Sequence, residues 1–167
     1  MELPRLTHPN SDYTPVDIYC GLRDQALRFG AGGAMAAVDG VIAVLMETGY
    51  RGAVATLMTT ADGSTSLYFS SGGGVLGAGG HAPVRTSSSA FLQASAKMID
   101  LLQPTSEFPL PRQGFVRFYI VSTTNVRTAE GLEQDLGYNR HPLSPLFHLA
   151  HAVITAVRQM SPPPPPP

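Results

Sequence analysis

The sequence predicts an α+β fold, a single-domain sandwich in which a small, mostly antiparallel sheet is packed by three to four helices. Three observations carry that expectation. In "GAVATLMTTADGSTSLYFSS" two β-rich runs flank Asp62 and Gly63, the signature of a hairpin over about residues 52–71. In "GFVRFYIVSTTNV" the residues Val116, Phe118 and Ile120 alternate with Phe115, Arg117, Tyr119 and Val121, so a central strand is expected over about 114–123. The segments around these strands carry helical spacing and helix-start residues. At 167 residues the chain has single-domain length and can bury roughly two-thirds of the surface of its unfolded form.

In chain order, residues 1–13 are Pro-rich and aperiodic and read as an extended arm. Thr14 as N-cap, Pro15 at the first helical position and Asp17 three residues past the cap open a first helix, with Ile18, Leu22, Ala26 and Phe29 on one face. The glycines of "GAGG" at 30–33 interrupt it. A second helix is expected from Gly33 to Thr48, with Met35, Val38, Ile42, Leu45 and Met46 as its core stripe, Asp39 and Glu47 outward, and Gly49 as terminator. After the hairpin, "SSGGGVLGAGGHAPVRTSSSAF" turns the chain, and Val75 and Leu76 add strand residues. A third helix, capped by one of Thr86 to Ser88, turns Phe91, Ala94, Ser95, Met98, Ile99 and Leu102 inward and stops at Pro104. Beyond the central strand, "RTAEGLEQDLGYNRHPL" reads as a polar excursion with a short helical turn. Ser144 and Pro145 then open a last helix through Leu146, Leu149, Val153, Ile154 and Val157. The domain spans 14–160, and 161–167 is a polyproline II tail.

Composition narrows the function classes. Charged residues are 14% of the chain, against about 25% in an average soluble domain, and the formal net charge is −1. No basic stripe with interleaved aromatics is present, so nucleic acid is disfavoured as a partner. The single cysteine, Cys20, excludes an internal disulfide and fits a reducing compartment. The start "MELPRLTHPNSDYTP" lacks the basic and apolar regions of a signal peptide, and no apolar run of about eighteen residues follows. A cytoplasmic location, no membrane partner and no cofactor are expected. Abundant small residues and low charge point to contact between chains.

The order helix, hairpin, helix, strand, helix resembles the roadblock and profilin-like group of small interaction domains over roughly Met35 to Met160. The resemblance is one of element order and transfers no functional residue. It implies a non-enzymatic interaction or scaffold domain that forms a homodimer or small oligomer, with another protein as a possible partner. The contact is expected on Met35, Val38, Ile42 and Met46, or on an open sheet edge.

The rival expectation is a small-ligand or anion-binding protein, or an enzyme, with its site at the Gly72 to Ser89 corner. Gly72, Gly74 and Gly77 have the spacing of a dinucleotide fingerprint, but Pro83 intervenes before the expected helix, and no G-K-[ST] follows to make a P-loop. Gly77, Gly79, Gly80, His81, Arg85, Thr86 and Ser87 are instead the candidate anion site, with His81 as acid/base and Arg85 as anion holder. The competing structural reading is a glycine turn between sheet and helix. His148 and His151, three apart on a helix with His141 nearby, are candidate metal ligands, or else polar residues bordering a packed helix. Cys20 reads as a packed small side chain, Ser122 to Asn125 as turn-bonding residues, and Arg117 as an edge or snorkelling residue. The prolines suit an aromatic-lined groove, a linker or a solvated tail.

Overall fold

The computed structural model describes residues 14–29 and 36–160. They form α1 (Asp17–Leu27), β1 (Val41–Tyr50), β2 (Ala53–Thr60), β3 (Thr65–Phe69), β4 (Gly74–Val75), α2 (Ala82–Lys97), β5 (Gln103–Thr105), β6 (Phe115–Ser122), β7 (Val126–Leu132), α3 (Glu133–Gly137) and α4 (Ser144–Met160). The strands make one antiparallel sheet in the order β4-β3-β2-β1-β6-β7-β5. This is the expected α+β class. The hairpin closes at Asp62 and Gly63, where Gly63 takes φ 92°, and β6 lies beside the middle strand.

The largest correction falls on residues 41–48, expected as helix. They belong to β1, the middle strand, paired with β2 on one side and β6 on the other. Val41 to Gly49 are buried without a break. An unbroken apolar run satisfies helical and strand periods alike, and a strand covered on both faces needs no alternation. The β-branched Val41, Ile42 and Val44 favour the extended form. Ile42 and Met46 are 2% and 1% exposed, so these two residues of the expected contact stripe lie in the core. Val38 is half-buried in a bridge to Val41, and Met35 lies outside the described residues. Gly49 sits inside the strand, where a Cβ would meet the carbonyl of Arg112.

Other element boundaries shift for local reasons. Val16, not Thr14, is the α1 N-cap, and the helix is rotated from its expected face: Tyr19, Arg23, Ala26 and Leu27 are buried while Ile18 is 68% exposed. α2 begins at Ala82 with His81 as N-cap and Pro83 in the first turn, so Thr86 to Ser88 are inside the helix. It ends at Lys97, and Pro104 sits in the short edge strand β5. The segment expected as a polar excursion supplies β7, whose half-buried Arg127, Thr128 and Glu130 pair against β6, and then the helical turn α3.

Helices cover both faces of the sheet. On one, Val84, Phe91 and Leu92 of α2 and Leu146, Phe147, Ala150, Val153 and Val157 of α4 pack against Val44, Met46, Leu57, Phe118 and Ile120. On the other, Ala26 and Leu27 of α1 meet Ala43, Leu45, Tyr119 and Val121, while Tyr19 meets Val54, Tyr68 and Leu110. Among the described residues no helix is long and apolar enough to cross a membrane.

Candidate functional site

The glycine-rich corner is built for close packing. Gly74 backs onto the carbonyl of Leu67 and Gly79 onto that of Gly63, contacts that a Cβ at either position would block. Arg85 is turned back on the corner. Its Nε donates to Gly79 O at 3.2 Å and its Nη2 to Gly80 O at 3.0 Å. The guanidinium therefore meets two backbone carbonyls, which orient it. His81 is exposed and makes no side-chain cap bond, and Thr86 Oγ1 donates to Ala82 O within the helix. Gly77 takes a left-handed φ of 69° ahead of the 3₁₀ turn Ala78–Gly80, and Ser87 is half-buried.

What the corner does create is a cleft of about 240 Å³ between the β2–β3 turn and α2. Thr59, Thr60, Asp62 and Gly63 line it from the turn, and Arg85, Ser88, Ser89 and Gln93 from the helix. Thr65 Oγ1 lies 2.7 Å from Ser88 Oγ and 3.4 Å from Thr59 Oγ1, placing three buried hydroxyls where helix meets sheet. Asp62 accepts from the Thr60 hydroxyl and from Ser64 N–H, and these bonds hold its carboxyl below the ordinary value. The sequence reading located the region through Arg85. It missed Asp62 and the Thr59–Thr65–Ser88 series, because hydroxyls far apart in sequence carry no joint signal.

The histidines have structural partners. His148 Nε2 is 2.8 Å from Asn139 Oδ1, His141 Nδ1 accepts from Leu143 N–H at 3.0 Å, and His151 packs at a tilt of 58° against Phe147 with ring centroids 4.4 Å apart, its buried Nε2 making no hydrogen bond among the described residues. No group of three or more metal-ligating side chains gathers among the described residues. Burial, and then the neighbouring His148 and Arg158 charges, hold the His151 imidazole below its ordinary pKa. An unfolded chain protonates this histidine near pH 6.5, before the native state does, so stability declines as pH falls from there toward the native value. Melting temperatures measured between about pH 7.5 and 5 should fall accordingly, and His151→Leu should flatten part of that slope. Equal slopes for the two proteins would refute this assignment.

The opposite face holds a polar cluster that the sequence reading did not find. Arg23 and Glu47 are 2% and 0% exposed. Arg23 Nε donates to Glu47 Oε2 at 2.7 Å and Nη2 to Oε1 at 2.8 Å. Thr56 Oγ1 donates to the same carboxylate at 2.9 Å and lies 2.8 Å from Tyr19 OH. Arg23 Nη2 also reaches Phe108 O at 2.9 Å, and Tyr119 OH donates to Pro109 O at 2.6 Å. Burial and the Glu47 charge push the hydroxyl pKa values of Tyr19, Tyr68 and Tyr119 up, so all three keep their protons. One cross-strand row places Glu130, Arg117, Glu47, Thr56 and Tyr68 side by side. Arg117 is thus an inner-strand residue paired with Glu130 at 2.7 Å, not an edge residue. Glu47, expected outward, is the anion around which α1 docks.

Beside this cluster lies an apolar pocket of about 170 Å³, with Tyr19 and Tyr68 among its lining residues and Ile18, Leu22, Phe69 and Leu76 around them. Ile18 is 68% and Leu76 57% exposed. Cys20 is half-buried among neighbouring apolar residues, and Ser122 Oγ bonds Asn125 within the β6–β7 turn, both as expected. Comparison with protein-family models, curated proteins and solved structures finds no match to the chain.

Proposed function

We propose that the chain is a non-enzymatic, cytoplasmic interaction domain that associates with a second copy of itself through the α1 and β4 edge of the sheet. The observation that supports this reading is the placement of two strongly exposed large hydrophobics, Ile18 and Leu76, on the same apolar pocket. Exposed apolar surface of this kind, next to a polar surround, marks sites of protein contact. A formal net charge of −1 opposes self-contact only weakly. The two-residue strand β4 leaves the adjoining sheet edge short, which suits side-chain packing better than long strand addition. The observed order is one helix, four strands, one helix, three strands and two helices, with β1 in place of the helix expected at 33–48, and the roadblock and profilin-like class is part of the proposal.

Sedimentation at tens of micromolar should give twice the chain mass. Ile18→Asp and Leu76→Asp should each return the chain mass while keeping a cooperative melting transition, lowered only by the lost association, since both side chains are exposed. A wild-type protein that sediments as a monomer would overturn the reading.

A further inference from the structure

The cleft between the β2–β3 turn and α2 has a feature that self-association does not use. Asp62 and Arg85 both line it, yet no ion pair within 4.0 Å joins them. Neutral partners position each charge instead. Asp62 is held by the Thr60 hydroxyl and by Ser64 N–H at 3.0 Å. Arg85 is held through Nε and Nη2 by the Gly79 and Gly80 carbonyls, and its Nη1 makes no hydrogen bond among the described residues. These bonds orient the two charges without neutralising them.

Ser89 and Gln93 add polar groups to a lining that also includes Val38, Ala61 and Leu92. Thr59 and Ser88 belong to a series of three hydroxyls with two mutual contacts, and each hydroxyl can donate once and accept twice. All three of these hydroxyls are buried, so the groups open to a ligand are the exposed Asp62, Arg85, Ser89 and Gln93. A volume of about 240 Å³ lies below the range of drug-sized sites, about 300 to 1,000 Å³, and suits a small metabolite. A lone anion would meet Arg85 but also face Asp62. A lone cation would meet the reverse.

We infer that this cleft binds a small zwitterion of the α-amino-acid class, its ammonium on Asp62, its carboxylate on Arg85, and its polar side-chain atoms on Ser89 and Gln93. L-serine is a suitable probe, with ethanolamine lacking only the carboxylate and 3-hydroxypropionate lacking only the ammonium. In titrations of the isotope-labelled full chain, L-serine should shift the amide resonances of Gly63, Arg85, Ser88 and Gln93 saturably. Each single-charge compound should bind about tenfold more weakly, the scale of one lost charge-assisted hydrogen bond. Asp62→Asn keeps the turn's acceptor and should weaken L-serine by a similar factor, as should Arg85→Gln. Because Arg85 also braces the corner, the wild-type comparison of the three compounds stands as a test that needs no variant. Two results would overturn the assignment: no shift with either L-serine or L-glutamine at about 50 mM, or equal binding of L-serine and a single-charge compound.

Discussion

Replacing Glu47 with alanine is expected to destabilise the protein by about 3–5 kcal/mol, because it leaves the Arg23 guanidinium buried with no counter-charge. Arg23 is 2% exposed and its Nε and Nη2 both bond that carboxylate, so water cannot replace the lost partner without opening α1. Burial works against the Arg23 charge, while the Glu47 charge and hydrogen bonds more than compensate and raise its pKa. A loss of this size is a large share of the 5–15 kcal/mol that holds a typical domain together. Urea unfolding measures it, and hydrogen exchange locates it. Protection should fall first in α1, which lies over the carboxylate. The double variant Arg23→Met with Glu47→Leu should recover most of the loss, since apolar side chains of similar volume replace buried ion pairs at little cost. A Glu47→Ala cost under about 1 kcal/mol would show that the pair does not anchor the helix.

That cluster also marks the limit of what the sequence discloses. The hairpin at Asp62 and Gly63 and the strand around Phe118 were legible because turn chemistry and strand propensity act locally. Parts of the buried faces of α2 (Phe91 and Ser95) and of α4 (Leu146, Val153 and Val157) were legible too, but Val84 and Leu92, and Phe147, Ala150 and Ala156, were not. The face of α1 was misread because its decisive contacts are polar and distant: Tyr19 turns inward to Thr56, 37 positions further along the chain, and Arg23 to Glu47, 24 positions further along. An arginine and a tyrosine one helical turn apart look like a solvated face until an anion is known to lie opposite. β7 was missed because an outer strand with half-buried polar side chains has little apolar alternation. At the cleft, Arg85 was visible as a cation beside glycines. Its engagement with the Gly79 and Gly80 carbonyls, and its juxtaposition with Asp62, exist only once the hairpin turn is laid against α2.

Met46→Asp should abolish folding, and this result separates the two readings of residues 41–48. On an exposed helix face the substitution would only break a contact between chains, leaving a folded monomer. In β1, Met46 lies between Leu57 and Phe118 and is 1% exposed, with α2 and α4 closing the face above it. Removing the thioether side chain from such a site costs about 2–5 kcal/mol, and a carboxylate put in its place lies between Leu57 and Phe118, with the exposed Arg158 of α4, which lines the adjoining cavity, as the one cation on that side among its lining residues. The added desolvation penalty of several kcal/mol brings the sum close to the whole stability of a typical domain. The protein should be recovered insoluble, or without cooperative thermal unfolding. Met46→Leu, which conserves volume, should cost less than about 1.5 kcal/mol and keep the oligomeric state. Ile18→Asp supplies the contrast, since the same charge at a position 68% exposed should leave the melting transition intact and change only the mass in solution. A soluble, cooperatively folded monomer from Met46→Asp would place this segment at an interface and contradict its position in the sheet.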